Sequence, residues 1–506
     1  MGHLVMFNLL AVTFIWLVSF EVEAATFGFS KSYANHMVLQ QAPKKSTIWG
    51  FASNVGETVT VHISGKGSVT TTTRHGDNGD VVWYAQLPPI SAGGPYTITV
   101  TSREGKLTLS DVLFGDVWVC SGQSNMGFTM SMSGSFAYRD NHLNLYDMFA
   151  RANSVGGKDW VHFSALCWLY GKHLYNTLKY PIGLISTADG GTMDEAWSSP
   201  DALAKCLSKH EIPAPKYKNG AVDHDTFSSL WNAMVHPLLH TTIYGVIWYQ
   251  GESNSDPKNG LDRYKCTFPA LIDDWRKQFS DASGGQTSNM FPFGFVQLAP
   301  FRHWNVNSGW GILRWHQTAD YGYVPNDRMK NTFMAVAMDL PDYKSPHGSI
   351  HPRDKADIAE RLYIEAMIVA YKRTDMLNRR GPFPTGFTEV VDRKTVQFSY
   401  ANTKTTIEKR NNNGFEVCCV PRKDISDTRN FCPMTYPSKL WNAVPITHSD
   451  STSVTIDYHS ACSSSNPYLG GIRYEWKESP CDVKKCAVYN RLSGSPAPPF
   501  IHFVTL

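Results

Sequence analysis

The sequence predicts an α/β protein: a doubly wound parallel sheet with helices on both faces (α/β/α), flanked by β-rich N-terminal and C-terminal regions. Three observations predict it. Between about residues 111 and 380, short apolar runs alternate with segments of helical periodicity, the pattern of parallel strands buried on both faces. From about 26 to 110, apolar and polar residues alternate at period two between Gly- and Pro-rich gaps, as in short antiparallel strands. From about 385 the helical rhythm fades, and six of the ten cysteines crowd into what remains.

The elements follow in order. Glu57 to Ile63, Val81 to Leu87, Tyr96 to Thr101 and Lys106 to Leu109 read as strands of a small β-sandwich. Val117 to Cys120 begins the α/β region as a short buried strand. Phe163, Leu166, Tyr170, Leu174 and Leu178 recur at helical spacing, and Ile182 to Ser186 is the next strand. A helix pattern covers Phe227 to Leu239, followed by the strand Gly245 to Tyr249. Tyr264, Phe268, Leu271, Ile272, Trp275 and Phe279 mark an amphipathic helix, and Phe293 to Leu298 a strand. Leu313 to Tyr321 predicts a short helix, Phe333 to Asp339 a strand, and Pro352 to Tyr371 a long helix with Pro in its first turn. Val396 to Tyr400 and Ser453 to Tyr458 read as strands among polar loops.

Length and composition bound the rest. At ~150 residues per domain, 506 residues suggest about three domains; the expected divisions are 25–110, 111–384 and 385–506. Lys and Arg total 47 against 44 Asp and Glu, a net charge of +3, and 42% of residues are hydrophobic. That balance excludes a disordered or collagen-like chain and argues against a protein built to bind nucleic acid. Leu4 to Phe20 is almost wholly apolar and Val22-Glu23-Ala24 follows as a small-residue cleavage site, so residues 1–24 read as a secretory signal peptide. The run is short for a membrane span of ~20 residues, and no membrane attachment is expected after cleavage. Cys418, Cys419, Cys432, Cys462, Cys481 and Cys486 then read as local disulfide staples in an oxidising compartment, with a pairing that spacing does not fix. A zinc site is the rival reading, but no CxxC or HxxxH set partners Cys481 and Cys486. The chain contains no Asn-x-Ser/Thr site.

Four polar clusters follow four of the expected parallel strands: Ser121-Gly122-Gln123-Ser124-Asn125-Met126, Asp189-Gly190-Gly191-Thr192, Gln250-Gly251-Glu252-Ser253-Asn254, and a loop ending in Ser349-Ile350-His351-Pro352. In such sheets the ligand crevice lies beyond the carboxyl ends of the strands, so all four would converge there. Together they are the parts for acyl transfer. A serine hydroxyl needs a base, for which His351 is the candidate. The developing oxyanion needs fixed donors: backbone N–H groups at Ser124 and at Gly190 or Gly191, and the Gln250 or Asn254 amide. Each cluster alone has a blander reading, as a turn, a tight loop, a loop scaffold or a helix cap. Their joint placement carries the argument.

These residues resemble a known family. Ser121 to Met126 (SGQSNM), Pro181 to Ser186 (PIGLIS) with Gly190-Gly191-Thr192, Trp248 to Asn254 (WYQGESN) and Ile350 to Lys355 (IHPRDK) are similar, in this order, to the blocks of sialate O-acetylesterases of the SGNH-hydrolase superfamily. The resemblance implies an SGNH-type sheet and a lysosomal or secreted serine esterase. It would remove O-acetyl groups from sialic acids or sialoglycans, notably at the 9-position, without metal or cofactor. It implies Ser124 as nucleophile and His351 as base, with Gly191 (or Gly190) and Gln250 lining the oxyanion hole. Two departures follow. Asp189 stands where the family commonly has Trp, and a carboxylate beside a forming oxyanion is unfavourable unless paired or turned away. The superfamily's Asp three residues before the histidine is replaced by Gly348. The third catalytic member is therefore expected further back, at Asp342, with Asp339 or a backbone carbonyl as alternatives.

Other residues carry less. His236 and His240 are four apart but lack an HExxH setting. Glu252 and Asp339 are candidates for the carboxylate pair of a glycosidase, but Glu252 reads better as a scaffold acid that fixes its loop. Trp197, Trp248 and Trp315 are candidates to stack on sugar, and Arg302 or Arg314 to clamp a carboxylate. The competing functions are an acetylesterase for another glycan, such as acetylated xylan, and a secreted glycan-binding protein whose esterase site has decayed.

Overall fold

The computed structural model describes residues 26–76, 79–133, 163–218, 220–303, 309–400, 405–421, 428–435 and 438–504. The expected signal peptide lies outside the described residues. At the centre are five parallel strands: β1 (Gly105–Gly122), β2 (Ile182–Ala188), β3 (Gly245–Tyr249), β4 (Phe293–Gln297) and β5 (Thr332–Val336). They pair in the order β2-β1-β3-β4-β5, a doubly wound order. Every residue of β3, β4 and β5 is buried, which is why these strands read as apolar runs.

Five helices matter for the site: α1 (Ser124–Gly127), α2 (Ala165–Leu178), α3 (Tyr264–Ala282), α4 (Trp310–His316) and α5 (Lys355–Val369). The strand register shows that both sheet faces are covered. Trp118 lies level with Gly245, and Trp248, three residues on, points to the opposite face. Trp118 packs on Tyr170 of α2, whereas Trp248 packs on Phe268 and Trp275 of α3. α2 and α5 also pack on each other.

β1 is 18 residues long and belongs to two sheets. Residues 105–114 pair antiparallel with Gly93–Ser102 in an N-terminal β-sandwich. Residues 116–122 pair with β2, and 118–122 with β3. The expected division at residue 110 falls inside this strand. The sandwich has its own core, in which Val59, Val61, Ile98 and Val100 meet Ile48 and Trp83.

The C-terminal region is β-rich, built on the antiparallel sheets that contain Thr395–Ser399 and Phe415–Val420. Its six cysteines pair locally, as Cys418–Cys432, Cys419–Cys462 and Cys481–Cys486. Cys120–Cys167 ties β1 to α2, and Cys206–Cys266 ties a loop to α3.

Three elements differ from expectation. The pattern at Phe227 to Leu239 yields only short turns at Trp231–Val235 and His236–Leu238, because Pro237 has no N–H to continue a helix. The short helix sits earlier, as α4. The last helix begins at Lys355, where the Asp354 carboxylate caps the Asp357 N–H, leaving His351 and Pro352 in the preceding loop.

Candidate active site

β1 ends at Gly122, which has φ +141° and packs so closely on β3 that a Cβ there would lie 2.1 Å from the Tyr249 carbonyl. Only glycine fits both constraints. The chain then turns into α1, with the Gln123 N–H donating to Tyr249 O at 2.9 Å, and Ser124 opens the helix half-buried.

His351 reaches Ser124 from the loop after β5. Its Nε2 lies 2.8 Å from Ser124 Oγ, and its Nδ1 lies 2.7 Å from the carbonyl oxygen of His347. A carbonyl oxygen only accepts, so Nδ1 carries the hydrogen. Nε2 is then the bare nitrogen, and the serine hydroxyl donates to it. Phe128 stacks on the ring at a centroid distance of 6.2 Å. Burial holds the imidazole pKa below its ordinary value, and the nearby Lys355 cation pushes the same way.

Neither aspartate expected behind His351 bonds to it. Asp342 is held by Arg353 through two hydrogen bonds of 2.7 and 2.9 Å. Asp339 is buried against Arg361 at 2.6 and 3.0 Å and accepts from the Tyr489 hydroxyl at 3.1 Å. Of the alternatives the sequence offered, the backbone carbonyl is the one in place.

Gly190 sits against the serine, where a Cβ would come within 3.3 Å of Ser124 Cβ. Gly191 has φ +77°. Among the described hydrogen bonds, none uses the N–H of Ser124 or Gly190 as donor. Asp189 precedes them, its N–H donating to Gly122 O at 3.1 Å. Its carboxylate is paired, with His224 Nδ1 at 2.7 Å, which meets the condition that the sequence imposed on this residue.

Gln250 and Asn254 are fully buried. The Gln250 amide donates to Thr192 O at 3.0 Å and Asn254 Oδ1 at 2.7 Å. The Asn254 amide donates to Glu195 Oε2 at 2.9 Å and Asn259 O at 3.0 Å. Each amide has only two N–H donors, and both are used. These side chains brace the glycine loop rather than offer a donor to substrate. Arg263 extends the network, donating to Glu195 at 2.6 Å.

Sequence reasoning missed a second brace, on the other side of the serine. The Asn125 amide donates to Glu252 Oε1 at 2.6 Å and to Ile350 O at 2.8 Å. Lys355 donates to Asn125 Oδ1 at 2.7 Å and Pro352 O at 2.8 Å, with its Nζ 4.6 Å from the Phe128 ring centre. The turn that carries Ser124 and both neighbours of His351 are thereby fixed together. Burial pushes the Lys355 pKa down to about 7 and the Glu252 carboxyl up. The signal was in the periodicity: Lys355 stands in register with the buried Ile358, Ala359 and Leu362 of α5, a core position for a lysine.

The remaining candidates have structural places. Arg314 is fully buried and donates to the carbonyls of Leu298, Lys477 and Glu478. Trp197 and Trp248 are sealed in the core, and Trp315 packs on Trp476. His240 bonds to Ala282 O at 2.9 Å. Among the described residues, no group of three or more His, Cys, Asp or Glu is placed to hold a metal ion.

Comparison with known proteins places this geometry in a family. Residues 114–356 match the model of a carbohydrate esterase family, sialic acid-specific acetylesterase, and residues 386–504 match the sialate O-acetylesterase C-terminal domain. Sialate O-acetylesterase of Homo sapiens is 39% identical over 521 residues, covering 95% of this chain and 93% of its own. That of Mus musculus is 36% identical over 534 residues, covering 94% of each. The fold is similar to that of a carbohydrate acetylesterase from Xanthomonas citri, with a TM-score of 0.70, 24% identity, and coverage of 93% of this chain and 98% of that one. With more than a third of its residues identical to these mammalian relatives over nearly their whole length, the chain belongs to the sialate O-acetylesterase family.

Proposed function

We propose that the chain is a serine esterase that removes O-acetyl groups from sialic acids, with the 9-O-acetyl ester as its substrate. The observation that carries this reading is the 2.8 Å contact between Ser124 Oγ and an imidazole whose tautomer leaves Nε2 able to accept. Ser124 Oγ attacks the acetyl carbonyl carbon as His351 Nε2 takes the hydroxyl proton. The carbonyl oxygen becomes an oxyanion, met by the N–H groups of Ser124 and of the Gly190–Gly191 loop. The C–O bond to the sugar breaks, and His351 returns the proton to the leaving sugar oxygen. Water then gives His351 a proton as its oxygen attacks the acetyl-serine, and acetate leaves with Ser124 restored.

The hydrogen bond that His224 makes to the Asp189 carboxylate supports an active rather than a decayed site, because it holds that carboxylate in place. The five disulfides support passage through an oxidising compartment, in keeping with a secreted or lysosomal protein. No helix among the described residues is long and apolar enough to cross a membrane.

Three sets of measurements test the proposal. Acetate release from 9-O-acetylated sialic acid should fall about 10,000-fold or more in Ser124→Ala, and equal release from both proteins would sink the assignment. Asp342→Asn should keep kcat within about tenfold of the parent, whereas loss of a true triad acid costs about 10,000-fold.

His224→Ala should slow kcat by about tenfold, or 1.4 kcal/mol, by leaving the Asp189 carboxylate unpaired beside the oxyanion. Adding Asp189→Asn should recover most of that loss. A double variant as slow as the single one would remove the pair from the mechanism.

His351 works as a base only when neutral, so kcat/KM falls as pH drops through its pKa. That acid limb should lie below about 6.5, the ordinary imidazole value. Lys355, faced by Glu252, Asp354 and Asp342, is charged across this acid range and opposes protonation of His351, whereas the hydrogen bond to the His347 carbonyl favours it. Lys355→Met should therefore move the acid limb to higher pH. A limb that stays in place would leave the lysine with a bracing role alone.

A further inference from the structure

A cleft of about 390 Å³ opens beside the catalytic pair, within the ~300–1,000 Å³ range of small-molecule sites. Its walls come from the loop after β3 (Glu252, Asp256), the loop after β4 (Arg302), α4 (Trp310), the histidine loop (Ile350) and the C-terminal region (Thr435). The loops after β3, β4 and β5 leave the carboxyl ends of parallel strands, as the nucleophile turn after β1 does. The cleft therefore lies on the chemical side of the sheet. Two wall residues are joined to the catalytic pair directly. Ile350 precedes His351, and Glu252 accepts from Asn125, the residue after Ser124.

Its chemistry fits a polyhydroxylated ring. Glu252 is buried, and its Oε2, which has no hydrogen-bond partner among the described residues, is itself closed off from solvent. Such an oxygen costs roughly 1–3 kcal/mol to leave unsatisfied. The groups open to a sugar hydroxyl, which both donates and accepts, are the exposed ones. The Asp256 carboxylate and Thr435 hydroxyl are exposed at the same cleft, and Trp310 and Ile350 supply apolar wall. Arg302 is the cation among the described lining residues. Glu478, with no side-chain exposure, accepts from its backbone N–H at 2.7 Å, from its Nε at 3.3 Å and from its Nη2 at 3.4 Å. The C-terminal region thus fixes an arginine whose side chain stays 46% exposed. Of the two arginines that the sequence offered for a carboxylate, Arg314 is sealed in the core and Arg302 stands at a cleft.

We infer that this cleft is the subsite for the sugar body of the ester substrate, with Asp256 and Thr435 meeting its hydroxyls and Arg302 meeting its carboxylate. The C-terminal region then forms part of the substrate site, through Thr435 and through Glu478 behind Arg302. The inference rests on the esterase reading above and deepens it.

The test uses the full chain and two substrates measured on each preparation: 9-O-acetylated sialic acid, and 4-nitrophenyl acetate, which has no sugar. The ratio of the two kcat/KM values does not depend on how much protein is folded. Arg302→Met should lower that ratio tenfold or more, mainly by raising KM for the sialate ester. Arg302→Lys should restore part of it, and Thr435→Val should lower it about threefold. A ratio within twofold of the parent in both Arg302→Met and Thr435→Val would overturn the inference. Failure of the parent protein on the sialate ester, with 4-nitrophenyl acetate still cleaved, would instead overturn the proposed substrate. The cleft would then be judged with an acetylated xylo-oligosaccharide, where an unchanged ratio in Thr435→Val overturns it.

Discussion

One hydrogen bond, from the His351 ring to the peptide carbonyl of His347, sets the state of the whole site. It decides which ring nitrogen is bare, and so whether the serine hydroxyl has an acceptor. A carbonyl does this without adding negative charge. A carboxylate in that place would stabilise the imidazolium and raise the pKa of the base; here burial keeps it low. The loop that supplies the carbonyl is closed on itself by Ser345, whose hydroxyl donates to His351 O at 2.8 Å.

Two buried polar networks hold the serine from opposite sides. Gln250, Asn254, Glu195 and Arg263 sit under the glycine loop, and Asn125, Glu252 and Lys355 sit between the nucleophile turn and the histidine loop. Buried polar groups are costly unless bonded, and bonded networks fix geometry tightly. The glycine network uses every N–H of its two amides. The lysine network leaves one carboxylate oxygen of Glu252 without a partner among the described residues, closed off from solvent.

Much of the fold was legible because its signals are local. Gly245 to Tyr249 was read residue for residue, since a fully buried strand is a bounded apolar run. The convergence of Ser124, Gly190 and His351 followed from strand ends meeting on one edge of a parallel sheet. Side-chain direction was not legible. Asp342 is close to His351 along the chain, yet it turns to Arg353, and Gln250 turns down to Thr192. Residue type told which groups were available for chemistry; packing decided which of them faced it. The pairing of the cysteines was equally hidden, because Cys418 and Cys419 are adjacent in sequence but project to opposite sides of their strand and reach different partners. Lys355 is the reverse case, a residue whose buried register was on view and whose role was overlooked.

The strand that ends at the nucleophile begins in a separate hydrophobic core. Neither core can melt while the other keeps its central strand fixed over its full length. Heating the protein should therefore draw both through one calorimetric endotherm, and a cut at residue 110 would strip the sandwich of residues 111–114, which complete its pairing with Gly93–Ser102.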